Sequence, residues 1–314
     1  MELEERMEYN GAWDEERKDE LKRVFFDLGK EWENEAKMLR ERLRAEGISC
    51  TALERSGADL QWSLKTAPFR KREAVVLTDS PAAGKRLSQE GIVCFGCQRK
   101  GNAWFEGAVL VLEGFDEVDA RYLEEWMCRA QGRPARIAET ERLLLREMDE
   151  KDLPELVRIG REGNGLALLS EDVFSLERLS SYWATAYRLQ GYGLWSVLYE
   201  GRVIGCCGFA PYEEKRIRKE DRVQIWSYRM CCDTECAGMN KNEREAEHPI
   251  LELQYMLDTA YRRQGFGTEM CQAALQYADE RLGADTICLR IRTDNAASQA
   301  LAQKLGFQYS ALHF

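Results

Sequence analysis

A chain of 314 residues with 44% hydrophobic side chains is long enough for two domains with separate cores. Its formal charge of −10 argues against general nucleic-acid binding, and no apolar run approaches the roughly 20 residues that span a bilayer, so neither a nucleic acid nor a membrane is expected as a partner. The opening MELEERMEYN is too charged for a secretory signal, and the eleven cysteines make an odd set, which together predict a cytoplasmic protein with reduced thiols.

Three zones follow in chain order, 1–46, 47–137 and 138–314. In the first, Leu21, Phe25, Leu28, Trp32, Ala36, Leu39 and Leu43 recur at steps of three and four among Glu, Lys and Arg, a spacing that predicts one amphipathic helix. Such a helix packs on its own domain or pairs with a second copy in a homodimer. In the second zone, residues 74–78 (AVVLT), 92–95 and 108–112 read as strands and 81–90 and 117–130 as helices, an alternation that predicts a small parallel α/β layer of unknown role. Its stretch TDSPAAGKRLSQEGIVCFG resembles the later half of phosphatase-like Rossmannoid domains, although no DxD strand accompanies it. Asp79 and Ser80 therefore have two readings, an anion or ligand site and a cap for the helix that Pro81 begins.

In the third zone, residues 194–198 and 202–209 read as a hairpin around Glu200 and Gly201, and 250–257 (ILELQYML) and 286–292 (TICLRIR) as strands. Cys271, Leu275, Ala278 and Leu282 form a helical stripe that stops at Gly283. Between the hairpin and the strand at 250 lies a long segment, 211–249, whose first part (PYEEKRIRKEDR) is charged and whose VQIWSYRM alternates like an additional strand. Between strand and helix stands YRRQGFGTEMC, residues 261–271. Gly265 and Gly267 lack a Cβ, so the main chain can approach a ligand, and successive N–H groups at the helix N-terminus can converge on phosphate oxygens. Arg262 and Arg263 add positive charge beside them.

This loop, together with TERLLLREMDEKDLPEL (140–156), YGLWSVLYEGRVIGCCGF (192–209) and NAASQALAQKLGF, resembles the GNAT superfamily of acetyl-CoA-dependent N-acyltransferases, and within it the branch of ribosomal-protein N-terminal acetyltransferases. Arg262, Gly265 and Gly267 match the family's pyrophosphate loop. The resemblance implies an α/β (α+β) fold with a mixed, splayed central sheet and flanking helices over 138–314, preceded by the smaller α/β domain. It implies acetyl-CoA as co-substrate. Main-chain groups of Met256, Leu257 and Asp258 would meet the pantetheine arm and thioester, and Arg262, Arg263, Gln264, Gly265, Phe266, Gly267 and Thr268 would hold the pyrophosphate. Asn295 and Ser298 would begin the helix flanking the cofactor. The chain departs from the family in its long 211–249 segment, expected to shape the acceptor pocket, and in ending soon after LGFQYS, so that a neighbouring segment would complete the sheet.

Amine acetylation needs a neutral amine, a positioned thioester and a proton for the departing thiolate. The family's tyrosine on the last helix matches Ala302 here. Ser298, which matches a serine used in the branch, is therefore the expected acid, with Tyr255, Tyr261 and Tyr309 as substitutes; a backbone-bonded helix residue is the other reading of Ser298. Glu252, near the start of its strand, is the expected base acting through a water. A one-residue slip of register would instead turn it to a structural salt bridge or to solvent. His248 is a secondary base candidate, and Asp258 reads as structural. Cys94 and Cys97 form one CxxC and Cys231, Cys232 and Cys236 a cluster, but no second CxxC stands at zinc-site spacing, so no metal is expected. The expected activity is direct acetyl transfer to a primary amine of a protein N-terminus, an amino acid or a small amine. The alternative is a non-catalytic acyl-CoA-binding sensor or interaction module.

Overall fold

In the computed structural model, which describes residues 20–53, 69–101, 103–162, 178, 181–212, 223–230 and 249–310, the run RVFFD forms a strand, β1 (Arg23–Asp27), and is not the start of a helix. This corrects the helical reading of residues 21–28. A strand buried on both faces is apolar at nearly every position, so Leu21 and Phe25 fit a helical period by coincidence. Val24, Phe25 and Phe26 are all buried, and Gly29 is extended before a single tight turn at Lys30–Trp32. The helix proper, α1, is Glu33–Ala45, and it buries Ala36, Leu39 and Leu43.

The chain divides into two compact units, Met1–Ala135 and Arg136–Phe314. In the first, β1 is the second of five parallel strands in the order β2-β1-β3-β4-β5, with β2 Ser49–Ala52, β3 Ala74–Thr78, β4 Val93–Cys97 and β5 Val111–Leu112. Two further helices are α2 (Pro81–Gln89) and α3 (Ala120–Ala130). Alternate residues face opposite sides of a pleated strand. Val24, Phe26, Val75 and Leu77 accordingly share a core with Leu39 and Leu43 of α1 and Leu123 and Met127 of α3, whereas Phe25 and Val76 pack with Ala83 and Leu87 of α2.

The strand order changes direction between β1 and β3, and Asp27, Thr78 and Asp79 meet at their carboxyl ends. There Thr78 Oγ1 donates to Asp27 (2.6 Å), Asp79 accepts from the Gly29 N–H (2.7 Å), and Ser80 caps α2 by accepting from the Ala83 N–H (3.4 Å). The capping reading of Ser80 is thus realised, and Asp79 ties β3 to the turn after β1.

The second unit carries an eight-stranded mixed sheet in the order β13-β10-β12-β11-β9-β8-β7-β6. Its strands are β6 Arg136–Glu139, β7 Leu143–Glu147, β8 Leu194–Tyr199, β9 Arg202–Pro211, β10 Val223–Arg229, β11 Ile250–Leu257, β12 Thr286–Arg292 and β13 Gln308–Ser310. β8 and β9 form the expected hairpin, with Glu200 and Gly201 both at positive φ, the geometry that suits the twist of a two-residue connection. The helices are α4 (Leu153–Glu162), α5 (Phe266–Tyr277, running on as a wider turn through Ala278–Leu282 to Gly283) and α6 (Ala296–Lys304). VQIWSYRM supplies β10, which pairs with β12 on one side and with the three-residue β13 on the other, so a strand from the long segment does complete the sheet.

One face of this sheet, with Trp195, Phe209, Leu251 and Leu253, packs on α5 residues such as Phe266, Met270 and Tyr277. The other face sets Leu194, Cys206 and Met256 against Leu153, Leu156 and Ile159 of α4. The start of α4 is pinned by a buried ion pair between Arg146 and Asp152 (2.7 Å), with Ser196 donating to the same carboxylate (2.6 Å). At Gly205 the neighbouring strand comes so close that a Cβ would lie 2.1 Å from the Met256 carbonyl oxygen.

Candidate functional site

The parallel pairing of β11 with β12 covers only Ile250↔Thr286, Leu251↔Ile287 and Glu252↔Cys288. Beyond Glu252 the two strands part, while β11 stays paired to β9 as far as Leu257↔Gly205 and β12 stays paired to β10 through Arg292. The sheet therefore opens along one side of residues 253–257. Main-chain groups alternate sides along a strand, and three bonds fix which residues face the opening. The Pro249 carbonyl accepts from Asp285 on the β12 side, whereas the Ile250 carbonyl accepts from Tyr212 and the Asp258 N–H donates to Ile204 on the β9 side. Leu253, Tyr255 and Leu257 thus present N–H and C=O groups to the opening, and Met256 and Asp258 present theirs to β9.

The glycine turn closes the end of this opening. Asp258 caps a tight turn at Thr259–Tyr261 by accepting from the Ala260 N–H (2.9 Å). Arg263 (φ 66) and Gly265 (φ 90) then adopt left-handed backbone, which makes a concave run of N–H groups ahead of α5. The first bonds inside α5 are from Thr268 and Glu269 to the Gly265 carbonyl (3.0 and 3.1 Å), so the N–H groups of Gly265, Phe266 and Gly267 are the orphan donors of a helix start. Gly267 lies against Leu257 and Leu301, joining the turn to the end of β11 and to α6. Phe266 is buried, while Arg262, Arg263 and Gln264 are exposed. Arg262 Nε donates to the Leu257 carbonyl (3.1 Å), and Gln264 Nε2 to the Ala260 carbonyl (2.8 Å).

An arginine that sequence reasoning missed holds this turn in place. Arg142, just before β7, donates from Nη1 to the Gln264 carbonyl (3.2 Å), pairs through Nη2 with Glu269 of α5 (2.6 Å), and lies over the Phe266 ring at 4.1 Å. A Cβ on Gly265 would stand 3.2 Å from Arg142 Nη2. Glu269 also accepts from Thr140 Oγ1 (2.6 Å) and the Arg142 N–H (3.1 Å). Burial alone would raise the Glu269 pKa, but the bonds from Thr140 and Arg142 hold it below the ordinary value. Asp258 is held low in the same way, burial being outweighed by the Ala260 N–H and by Arg158 of α4.

On the α5 face of the opening, Asn295 caps α6 by accepting from the Ser298 N–H (3.1 Å), which fixes Ser298 in the first turn. Tyr255 points to the same face, because it shares the parity of Leu251 and Leu253. Its hydroxyl is buried beside the Ser298 side chain and completes no well-directed hydrogen bond among the described residues. Burial pushes its pKa up, with Cys271 adding to the effect and Ser298 opposing it. Ala302 is wholly buried in the core.

On the opposite face Glu252 is 4% exposed and ion-paired with Arg290 of β12, and Gln254 Nε2 donates to its other oxygen at 3.4 Å. The strand register sets Glu252 in this ion pair at the last residue pair before the strands part. His248, Cys231, Cys232 and Cys236 lie outside the described residues. Among those described, no group of three or more His, Cys, Asp or Glu side chains could hold a metal ion, and no helix is long and apolar enough to cross a membrane. Cys94 Sγ has the Gly84 and Gly107 carbonyls as alternative acceptors (3.6 and 3.7 Å), and its burial pushes the thiol pKa up to about 11.

A splayed mixed sheet with a glycine turn and helix N-terminus at the mouth of the splay defines an acyltransferase fold. The chain belongs to the acetyltransferase (GNAT) domain family, whose model matches residues 142–308. Among solved structures it is similar to the ribosomal-protein-alanine N-acetyltransferase from Brucella melitensis, at 23% identity over 52% of this chain and 84% of that one, with a TM-score of 0.37. It is also similar to an acetyltransferase from Agrobacterium tumefaciens (17% identity, 56% and 86% of the two chains, TM-score 0.39). A third is YncA from Salmonella typhimurium, solved with its cofactor acetyl-CoA (19% identity, 55% and 82%, TM-score 0.36). At these identities and scores the assignment rests on the family model.

Proposed function

We propose that residues 136–314 transfer an acetyl group from acetyl-CoA directly to a primary amine, with a protein N-terminus, an amino acid or a small amine as acceptor. The observation that carries this reading is the parting of β11 from β12 immediately upstream of the Arg262–Thr268 turn. It leaves a slot, edged by main-chain groups of Leu253, Tyr255 and Leu257, that leads to a cradle of N–H groups. The slot suits an extended pantetheine arm with amides of its own, and the cradle suits a pyrophosphate. An N–H of Leu257 or Tyr255 aimed at the thioester oxygen would contribute about 3 kcal/mol of transition-state stabilisation.

The two faces of the slot carry different chemistry. Glu252, with Arg290 and Gln254, is the proposed base and acts on the amine through a water. Ser298 and Tyr255 stand on the other face, where the thiolate departs. Incubation with acetyl-CoA and an amine panel, with free thiol followed over time, tests the reading; the expected result is thiol release that depends on an acceptor. Release no faster than hydrolysis with every acceptor class refutes catalysis.

The ion pairing of Glu252 and the burial of Ala302 favour a second reading, a non-catalytic acyl-CoA sensor. Tight acetyl-CoA binding without turnover, indifferent to Glu252→Gln and Ser298→Ala, would select it.

A further inference from the structure

The departing thiolate needs a proton, and the helix that follows β12 offers none at residue 302, where alanine is buried in the core. Three tyrosines remain in this half as replacements named by the sequence. Tyr309 is 57% exposed on β13, packed against Trp226 and two strands away from the opening. The Tyr261 ring packs edge-on against Tyr199 and Phe266 beside the glycine turn. Tyr255 differs from both. It is three residues past the last β11–β12 pair, its main chain borders the opening, and its side chain turns toward the first turn of α6. Its hydroxyl is withdrawn from water without a well-directed bond to any described group, next to Ser298. A buried phenol left in that state has an unused donor.

We infer that Tyr255 is a catalytic residue, its hydroxyl giving the proton to the coenzyme A sulfur, with Ser298 as the residue that positions it. The inference rests on the acetyl-transfer reading above. In the step, the amine nitrogen forms a bond to the acetyl carbon, the C–S bond breaks with its electron pair left on sulfur, and the Tyr255 Oη–H bond gives its proton to that sulfur. The amine releases its own surplus proton on the Glu252 face, and the phenolate regains one from water as products leave. The net change is one proton moved from nitrogen to sulfur. Burial keeps the phenol protonated through the neutral range, as a donor must be. Asn295 supports the arrangement by fixing Ser298.

The test compares wild type, Tyr255→Phe and Ser298→Ala as full-length proteins. Thiol release is measured across pH at saturating acceptor, and acetyl-CoA affinity by calorimetry. For Tyr255→Phe the expected result is kcat lower by ~100-fold across the measured pH range, the scale of general acid catalysis, with the acetyl-CoA Kd unchanged. Ser298→Ala should lower kcat less. Wild-type kcat in Tyr255→Phe, or a parallel loss of acetyl-CoA affinity, overturns the inference while leaving acetyl transfer intact, as does a larger loss in Ser298→Ala than in Tyr255→Phe. Wild type without acceptor-dependent release overturns both. Should Tyr255→Phe not fold, fluorination of the Tyr255 ring is the second arm. A strongly acidified phenol must bring a basic limb of kcat into the measured pH range, and a profile without one overturns the inference.

Discussion

Replacing Arg142 with alanine removes three contacts at once from the glycine turn: the bond to the Gln264 carbonyl, the pair with Glu269 and the stack on Phe266. The side chain is 37% exposed, so its ion pair is discounted for solvent to about 0.5 kcal/mol. The cation–π stack adds about 0.5–1 kcal/mol. Glu269 keeps Thr140 Oγ1 and the main-chain N–H of residue 142, so it is not stranded. The expected loss of stability is therefore about 1–2 kcal/mol, read as a lower urea midpoint with unchanged slope. The freed Gln264 carbonyl also loosens the cradle, and about 1 kcal/mol there weakens acetyl-CoA roughly fivefold by calorimetry. Arg142→Lys should recover little of this, because an ammonium lacks the fork that reaches two partners. Glu269→Gln adds a pH signature. The Glu269 pKa is depressed from its ordinary value of 4.5, so its stabilisation is present in full above that pH and is lost as pH falls through the lower folded value. The variant should therefore lose part of the acid limb of the stability curve. An unchanged acetyl-CoA Kd in Arg142→Ala, alongside reduced stability, would show that the arginine ties β7 to α5 without shaping the cradle, and would refute the argument.

Glu252→Gln strands the Arg290 guanidinium, 15% exposed, and should cost about 3 kcal/mol of stability in urea melts, whereas Glu252→Gln with Arg290→Met should recover most of it without recovering turnover. Recovery of turnover in the double variant would remove Glu252 from the mechanism. Gly265→Ala forces a side chain onto φ 90 and against Arg142, which should cost about 1–2 kcal/mol and weaken acetyl-CoA binding; a variant that binds normally would show that the left-handed turn is dispensable. Among acceptors, an α-amine of pKa about 8 should outcompete a lysine side chain of about 10.4, since at pH 7.5 its neutral fraction is roughly 200-fold larger. A peptide with a blocked N-terminus and one lysine, acetylated as fast as its free-amine counterpart, would contradict this.

How much of this was legible in the sequence differs sharply between local and non-local features. The turn at 262–268 was legible because glycine spacing, an upstream apolar run and a downstream helical stripe all lie between residues 250 and 283. The hairpin at Glu200 and Gly201 and the strand Val223–Arg229 were legible for the same local reasons. β1 was not, because a doubly buried strand and a helix are both rich in apolar residues, and only the extended Gly29 separates them. Arg142 was invisible for another reason: its partners Gln264 and Glu269 are more than a hundred positions away and become neighbours only when β7 takes its place in the sheet. The two readings of Glu252 turned on strand register, which one residue would invert. Pairing of Glu252 with Cys288 puts its side chain on the Arg290 side.

That same register governs how the proposed reaction divides its protons. Glu252 and Tyr255 lie three positions apart on one strand, an odd separation, so the pleat sends their side chains to opposite faces of the sheet. Had the spacing been even, acid and base would share a face and could exchange a proton directly, without the acyl group between them. With the strands parted beyond Glu252, the opening gives a route from the Glu252 face to the Tyr255 face, and the thioester would lie in it. A proton taken from the amine on one side and a proton given to sulfur on the other are then coupled through bond making at carbon. The ion pair with Arg290 fits this division. It fixes the Glu252 carboxylate at the edge of the opening in a paired couple, so under the proposed reaction a cationic amine would gain little by docking charged, and selection would fall on amines that lose their proton easily.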